Sequence, residues 1–238
     1  SQNIYVWFEA LLNYLSAVDY AKNGENFKKY WPADVHFIGK DILKFHAIVW
    51  PAILMASGIE LPKTILVHGF ITHNGQKMSK SLNNVISPFE IIEKYGSDAY
   101  RYYFLAEASV FSDVDFTFER FNAKYSADLS GGLGNLVNRV LTIAQKNQDI
   151  LGEIFIEAEN IFSDKNYKSI ENEYNDFFEN YELEKALGLI WLSIARCNRV
   201  IEDAKIWELP KKDIEKFKKI IKELISDIVF MSWLLAPF

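Results

Sequence analysis

The chain has 238 residues, of which 50% are hydrophobic and 24% are charged, and its net charge is −6 at pH 7. This composition excludes disordered and collagen-like classes and predicts a soluble globular chain with one large core or two smaller ones. No apolar run approaches the ~18 residues that cross a bilayer, and no secretory leader is recognisable, so we expect no membrane partner and a cytoplasmic location. The only cysteine, Cys197, excludes an internal disulfide and a multi-cysteine zinc site.

Both ends of the chain are apolar. An aromatic and β-branched run begins already at Ile4, and the last residues run from Trp233 to Phe238. Because natural termini are usually polar and frayed, we expect a piece of a longer protein.

The negative charge is concentrated in one segment. Residues 1–110 contain ten basic and ten acidic side chains, and residues 111–148 contain four of each. Residues 149–184 contain two basic and eleven acidic side chains, whereas residues 185–238 contain ten basic and seven acidic ones. A local surface of the last segment can therefore meet phosphates despite the overall charge.

The first part of the chain alternates strand-like and helix-like patterns, which is typical of a parallel sheet covered by helices. Strands are predicted over 34–38 and 64–72. A helix is predicted over about 41–57, with Asp41 as a candidate N-cap and a kink at Pro51.

After Pro88 the apolar period becomes 3.6 residues, which indicates helices. The segments with this period are 88–95, 97–107, 118–148, 168–180, 182–205 and 210–235. The pattern breaks around Ser112-Asp113, so we predict a domain boundary between residues 112 and 113. The predicted fold class is α/β followed by all-α, the second part being a helical bundle.

One loop concentrates lysine, serine and glycine. The tight-turn signal Asn74-Gly75 is followed by Gln76-Lys77-Met78-Ser79-Lys80-Ser81. Lysine ammonium groups neutralise oxygens that gain charge during phosphoryl or adenylyl transfer, and serine hydroxyls and backbone amides add hydrogen bonds. The composition suits a polyphosphate, although an isolated run of this kind is more often a solvated surface loop.

The pentapeptide over 77–81, Lys-Met-Ser-Lys-Ser, is identical to the signature loop of class I aminoacyl-tRNA synthetases. Residues 5–14, 36–51 and 67–69 resemble the methionyl-tRNA synthetase family in order and spacing. This resemblance covers nearly the whole chain. It implies that residues 1–112 are the second half of a Rossmann-type catalytic domain and that residues 113–238 are an α-helical anticodon-binding domain.

The resemblance implies an ATP site. Its positions in this chain are Gly39, Asp41, Ile71, Lys77, Ser79 and Lys80. Lys77 and Lys80 would be catalytic, because they would stabilise the charge that develops on the leaving pyrophosphate. Asp41 would accept bonds from the ribose, with a helix N-cap as the alternative, and Ile71 would meet adenine through its main chain, with strand core as the alternative. Mg²⁺ is expected with the ATP, and no metal site is expected in this chain.

The resemblance also implies a methionine pocket, which suits an apolar slot with aromatic walls because a thioether gains from aromatic contacts. The matching positions are Trp7, Ala10, Leu11, Tyr14, Ile42, His46 and Trp50. Ile42, His46 and Trp50 are spaced by four residues and so share one helix face. The alternative is ordinary core, with His46 as a hydrogen-bonded core histidine.

Three residues match the family's anticodon-reading set. Asn135 and Arg139 stand one helical turn apart, and Trp207 precedes Pro210 at a helix end. An amide, a guanidinium and an indole can read base edges or stack on unpaired bases. The alternatives are a cap, a surface charge and a core anchor, respectively.

Three features depart from the family pattern. Glu9 replaces an aspartate, Asn83 replaces a glycine after the lysine loop, and the His-Ile-Gly-His type motif of the ATP site is absent from the 238 residues. Since half of the ATP site is then missing, we expect the isolated chain to be inactive and to need the missing N-terminal half of the same enzyme.

The function that the resemblance implies is the ATP-dependent activation of methionine to methionyl-adenylate and its transfer to tRNA(Met), by a monomer. A tRNA-binding module without catalysis is one alternative. Another class I synthetase, for an aliphatic amino acid, is the other.

Overall fold

The computed structural model describes residues 6–22, 24–82, 84–152 and 164–238, and of Lys80 the backbone only. The chain forms two compact units: residues 1–71 with 110–113, and residues 72–109 with 114–238. The domain boundary between residues 112 and 113 stays a prediction. Within the described part of the chain, no helix is long and apolar enough to cross a membrane.

Two parallel strands organise the first unit. Strand β1 (Val35–Gly39) pairs with β2 (Thr64–His68), with Val35 opposite Thr64 and Gly39 opposite His68. Helices α1 (Val6–Ala17) and α2 (Glu25–Tyr30) precede β1, and α3 (Trp50–Ala56) lies between the strands. The core residues are Leu11, Leu15, Trp31, Trp50 and Leu54. The predicted parallel α/β arrangement is confirmed.

The segment predicted as one helix over 41–57 changes its winding twice. A 3₁₀ turn over Lys40–Ile42 is followed by a π-helical turn over Phe45–Val49 and then by α3. Pro51 lies in the first turn of α3, directly after the π-helical turn. The N-cap interpretation of Asp41 is wrong, since Gly39 occupies the cap position and Asp41 lies inside the 3₁₀ turn.

The segment predicted as one strand over 64–72 is two strands, β2 and β3 (Ile71–His73). Gly69 separates them, and its N–H donates to the Val110 carbonyl at 3.2 Å. A Cβ atom at Gly69 would lie 2.1 Å from the Ser112 carbonyl oxygen, so only glycine fits there.

A small sheet begins the second unit. Its strands β4 (Gln76–Lys77), β3 and β5 (Val114–Phe116) lie in that order, and β3 pairs with β4 in antiparallel register. The predicted tight turn is confirmed, because Asn74 and Gly75 both have positive φ angles, 52° and 72°. Helices α4 (Pro88–Tyr95), α5 (Ser97–Glu107) and α6 (Phe118–Lys124) pack with β5 around Ile91, Ala99, Tyr103, Phe116 and Phe121.

In the described residues of the rest of the second unit, 135–152 and 164–238, the regular elements are helices, as predicted. They are α7 (Asn135–Lys146), α8 (Gln148–Leu151), α9 (Lys165–Glu179), α10 (Leu183–Asp203), α11 (Leu209–Lys212) and α12 (Ile214–Leu235). Residues Tyr125–Gly134, between α6 and α7, are π-helical, so the predicted helix over 118–148 is not one α-helix. The predicted helix over 210–235 is also divided, because the Asp213 side chain accepts from the Lys216 N–H and caps α12.

Candidate functional site

A cluster of aromatic and histidine side chains lies in the first unit, between α1 and the π-helical turn. The Tyr14 hydroxyl lies 2.8 Å from Nε2 of His46, and the two rings are 5.7 Å apart. Trp7 stacks on Phe45 with 4.0 Å between ring centroids, and Tyr14 also contacts Trp50 at 5.9 Å. The structure therefore brings together most of the residues that the resemblance assigns to methionine.

Hydrogen bonds determine the tautomer of His46. Its Nδ1 lies 3.0 Å from the Ile42 carbonyl oxygen, which can only accept. Nδ1 therefore carries a proton, and in the neutral imidazole Nε2 accepts from the Tyr14 hydroxyl. Burial raises the pKa of Tyr14, which keeps the hydroxyl protonated.

Burial differs among the predicted pocket residues. Trp50, Leu11 and His46 are buried, at 0%, 1% and 2% exposure, whereas Trp7 and Ile42 are half-buried. Ala10 is exposed on α1. The cluster is thus part core and part surface. The core interpretation is confirmed for Trp50 and Leu11, and their assignment to a methionine pocket stays a prediction.

Two members of the cluster were missed from the sequence. His36, on β1, is 5% exposed and meets Tyr14 edge-on at 4.3 Å. Burial and then the neighbouring His46 lower the pKa of His36. Phe45 is the stacking partner of Trp7. Both lie within the segments that resemble the family, but only the fold shows that their side chains join the cluster.

The positions assigned to the nucleotide sugar meet at the end of β1. A Cβ atom on Gly39 would lie 3.0 Å from Oδ1 of Asp41 and 3.7 Å from Cε1 of His68, so the glycine keeps this place open. Asp41 is exposed, and Ile71 is 40% exposed. The strand-core interpretation of Ile71 is therefore wrong.

The lysine loop lies in the second unit, after the β3–β4 hairpin. Lys77 ends β4 with an exposed side chain, and the Lys80 backbone begins a 3₁₀ turn over Lys80–Leu82. The Ser79 N–H donates to Oδ1 of Asn84 at 2.8 Å. Asn83, which replaces the family's glycine, lies outside the described residues.

Asp115 holds the hairpin that precedes the loop. Its Oδ1 accepts from the Gly75 N–H at 2.7 Å and from the Thr72 hydroxyl at 2.8 Å. These two bonds lower the pKa of Asp115, so the carboxylate stays charged at neutral pH. No local pattern indicated this contact, because Asp115 lies 40 residues along the chain from the turn that it binds.

The residues assigned to the anticodon lie on α7 and after α10. Asn135 is the exposed first residue of α7. Arg139 donates to Oε1 of Glu202 at 2.6 Å and to Oδ1 of Asn198 at 3.5 Å, both on α10. Trp207 follows the end of α10 and is 51% exposed, so the core-anchor interpretation is wrong for this indole.

Comparison with known proteins assigns the chain to a family. The family model described as tRNA synthetases class I (M) matches residues 1–141. Methionine–tRNA ligase of Thermotoga maritima is 37% identical over 237 residues, which are 98% of this chain and 38% of that protein. Methionine–tRNA ligase 1 of Bacillus cereus is 41% identical over an alignment of 247 positions, which covers 99% of this chain and 36% of that protein.

A solved structure agrees with these relatives. Mycobacterium tuberculosis methionyl-tRNA synthetase in complex with methionyl-adenylate superposes with a TM-score of 0.84 at 34% identity, over 98% of this chain and 47% of that one. This chain spans less than half the length of each of these three relatives. The match of the family model over more than half of the chain, together with these relatives, shows that the chain belongs to the class I (M) tRNA synthetase family.

Proposed function

We propose that this chain is part of a methionine–tRNA ligase that works in the cytoplasm as a monomer. The whole enzyme would activate methionine with ATP to methionyl-adenylate and pyrophosphate, and would then transfer methionine to tRNA(Met). The N-terminal half of the same enzyme would supply the His-Ile-Gly-His type motif that these 238 residues lack.

The observation that carries the proposal is the aromatic cluster. Tyr14, His46 and Trp50 are joined by ring contacts, and the Tyr14 hydroxyl is hydrogen-bonded to Nε2 of His46. A polarisable thioether gains from aromatic edges, whereas a branched aliphatic side chain gains less. The cluster therefore favours methionine over the aliphatic substrates of other class I synthetases.

The lysine loop would act on the nucleotide. As the methionine carboxylate attacks the α-phosphorus, the bond to pyrophosphate breaks and negative charge grows on the leaving group. Lys77 and Lys80 would neutralise that charge. Mg²⁺ would enter with ATP on its phosphates. Within the described residues, no group of three His, Cys, Asp or Glu side chains could hold a metal ion.

The anticodon would be read by Asn135, Arg139 and Trp207. Trp207 exposes its indole for stacking. Glu202, on α10, would orient the guanidinium of Arg139, on α7, through their ion pair. Asn135, at the start of α7, is exposed for hydrogen bonds to base edges.

The proposal is tested by methionine-dependent exchange of pyrophosphate into ATP, measured on the complete protein. Lys80→Ala should slow single-turnover adenylate formation by about 100-fold or more, because one developing charge loses its partner, and it should leave methionine affinity nearly unchanged. Exchange that depends on leucine or valine instead would favour the aliphatic alternative. Binding of tRNA(Met) without any exchange would favour a tRNA-binding module.

Lys63→Ala is the matched control. Lys63 is an exposed lysine that pairs with Asp34 at 2.6 Å, and no proposed role involves it. We expect wild-type rates from this variant. If Lys80→Ala formed the adenylate at the wild-type rate, the catalytic role of Lys80 would be excluded.

A further inference from the structure

We propose that Asn84 is a positioning residue for the lysine loop, holding its backbone in the form that neutralises the leaving pyrophosphate. The inference rests on the proposed function and deepens it. Asn84 belongs to none of the assigned sites.

The carboxamide of Asn84 binds the loop at two points. Its Oδ1 accepts from the Ser79 N–H at 2.8 Å, and its Nδ2 donates to the Lys77 carbonyl at 3.3 Å. These two backbone groups lie on either side of Met78. One half-buried side chain therefore closes the segment between the two signature lysines into a ring.

The rest of the loop depends on the same residue, Ser79. The Leu82 N–H lies 3.2 Å from both the carbonyl oxygen and Oγ of Ser79, and Oγ of Ser81 lies 3.1 Å from Oγ of Ser79. The 3₁₀ turn that contains Lys80 therefore starts from the residue that Asn84 holds. The Ser79 N–H already donates to Asn84. The positive charge of this segment is carried by the two lysine side chains.

Positioning matters here because lysine is a point charge on a flexible stem. Neutralisation of a developing charge is effective only when the donor is in place before the reaction. A loop with a loose backbone would spread the ammonium groups over many positions. Loss of the Asn84 ring should therefore slow the chemical step rather than weaken methionine binding.

Only an amide can make both contacts. Alanine makes neither, and aspartate can accept from the Ser79 N–H but cannot donate to the Lys77 carbonyl. The two variants therefore separate the acceptor half of the contact from the donor half. We expect Asn84→Asp to retain part of the function that Asn84→Ala loses.

The experiment uses the complete protein with Asn84→Ala, Asn84→Asp and the control Asn180→Ala. Asn180 also donates to a backbone carbonyl, that of Asp176 at 2.8 Å, at the end of α9. We expect Asn84→Ala to slow single-turnover adenylate formation about 10- to 100-fold, the range for losing one or two backbone-positioning bonds. The methionine dissociation constant should stay within about twofold of wild type, and Asn180→Ala should react normally.

A double-mutant cycle with Lys80→Ala tests whether Asn84 acts through the loop. In the Lys80→Ala background, Asn84→Ala should slow the reaction much less than it does in the wild type, because the main group that it positions is gone. Hydrogen exchange gives a readout besides activity: the Ser79 amide should exchange at least about tenfold faster in Asn84→Ala.

Two results would overturn the inference. One is normal adenylate formation by Asn84→Ala in an enzyme whose wild type is active. The other is full additivity with Lys80→Ala. An inactive wild type would instead overturn the proposed function, and this inference with it, so the two failures are distinguishable.

Discussion

His36 and His46 are buried and lie against the half-buried ring of Tyr14. Nδ1 of His46 lies 3.0 Å from the Ile42 carbonyl oxygen, and the pKa of His36 is lowered by burial and by His46. Among the described residues, Nε2 of His36 and Nε1 of Trp50 are buried without a hydrogen-bond partner. A buried donor or acceptor without a partner costs free energy, so these two atoms lower the stability of the cluster.

The lowered pKa of His36 makes stability depend on pH. Below the ordinary value of 6.5, the unfolded chain binds a proton that folded His36 does not yet accept. The free energy of unfolding should therefore fall as the pH drops below 6.5, and it should level off once the pH is below the folded pKa.

Thermal unfolding of the complete protein at about pH 7.5 and about pH 5.5 measures this dependence. In His36→Phe, which keeps a ring against Tyr14, the fall in melting temperature should be smaller. An equal fall in both proteins would show that His36 does not carry the effect.

The exposed indole of Trp207 supports a second prediction at this scale. Trp207→Ala should lower kcat/KM for aminoacylation of tRNA(Met) about 10- to 100-fold, the range for losing one stacked base, and it should spare adenylate formation. Trp207→Phe should restore most of the loss because a ring remains. Equal losses in both assays would indicate misfolding instead of a lost contact with the tRNA.

At the scale of elements, two predicted helices change their winding along their length. Helical period in the sequence indicated continuous helices over 41–57 and 118–148, but π-helical segments occur at Phe45–Val49 and Tyr125–Gly134. The spacing of apolar residues shows which face of a helix is buried. It is too coarse to distinguish 3.6 residues per turn from a locally wider turn. The first π-turn places Phe45 and His46 against α1, so the difference in winding is part of the candidate site.

Two glycines give opposite predictions. Gly69→Ala should lower the free energy of unfolding by about 2 kcal/mol or more, because its Cβ would meet the Ser112 backbone at 2.1 Å. Gly188→Ala should raise it by about 0.5–1 kcal/mol, since that glycine lies inside α10 with no atom within 4 Å of the new Cβ. Urea unfolding of the complete protein measures both. A stabilising Gly69→Ala would contradict the close backbone approach.

At the scale of the whole molecule, the chain spans 36% and 38% of the two curated relatives described above. It contains the lysine loop, and the His-Ile-Gly-His type motif is absent from its sequence. Binding groups for ATP would then be divided between this chain and the rest of the enzyme. Positioning of both halves around one nucleotide is what makes the chemical step fast.

The 238-residue chain alone should therefore show pyrophosphate exchange at the background rate, whereas the complete enzyme should be active. Circular dichroism of the isolated chain checks that helices are still formed. Exchange by the helical, isolated chain at more than about 1% of the complete enzyme's rate would show that the missing motif is dispensable.

Local patterns alone determined several features of this protein. The Asn74-Gly75 turn, the parallel α/β start and the helical second part follow from short-range geometry and apolar period. The signature loop over 77–81, together with residues 5–14, 36–51 and 67–69, indicated the family. Only the tertiary structure decided which distant groups meet. Asp115 binds a turn forty residues before it, His36 joins Tyr14 across the first unit, and Trp207 turns outward. Hydrogen-bond partners and exposure depend on how elements pack, and residue order along the chain does not contain that information by itself.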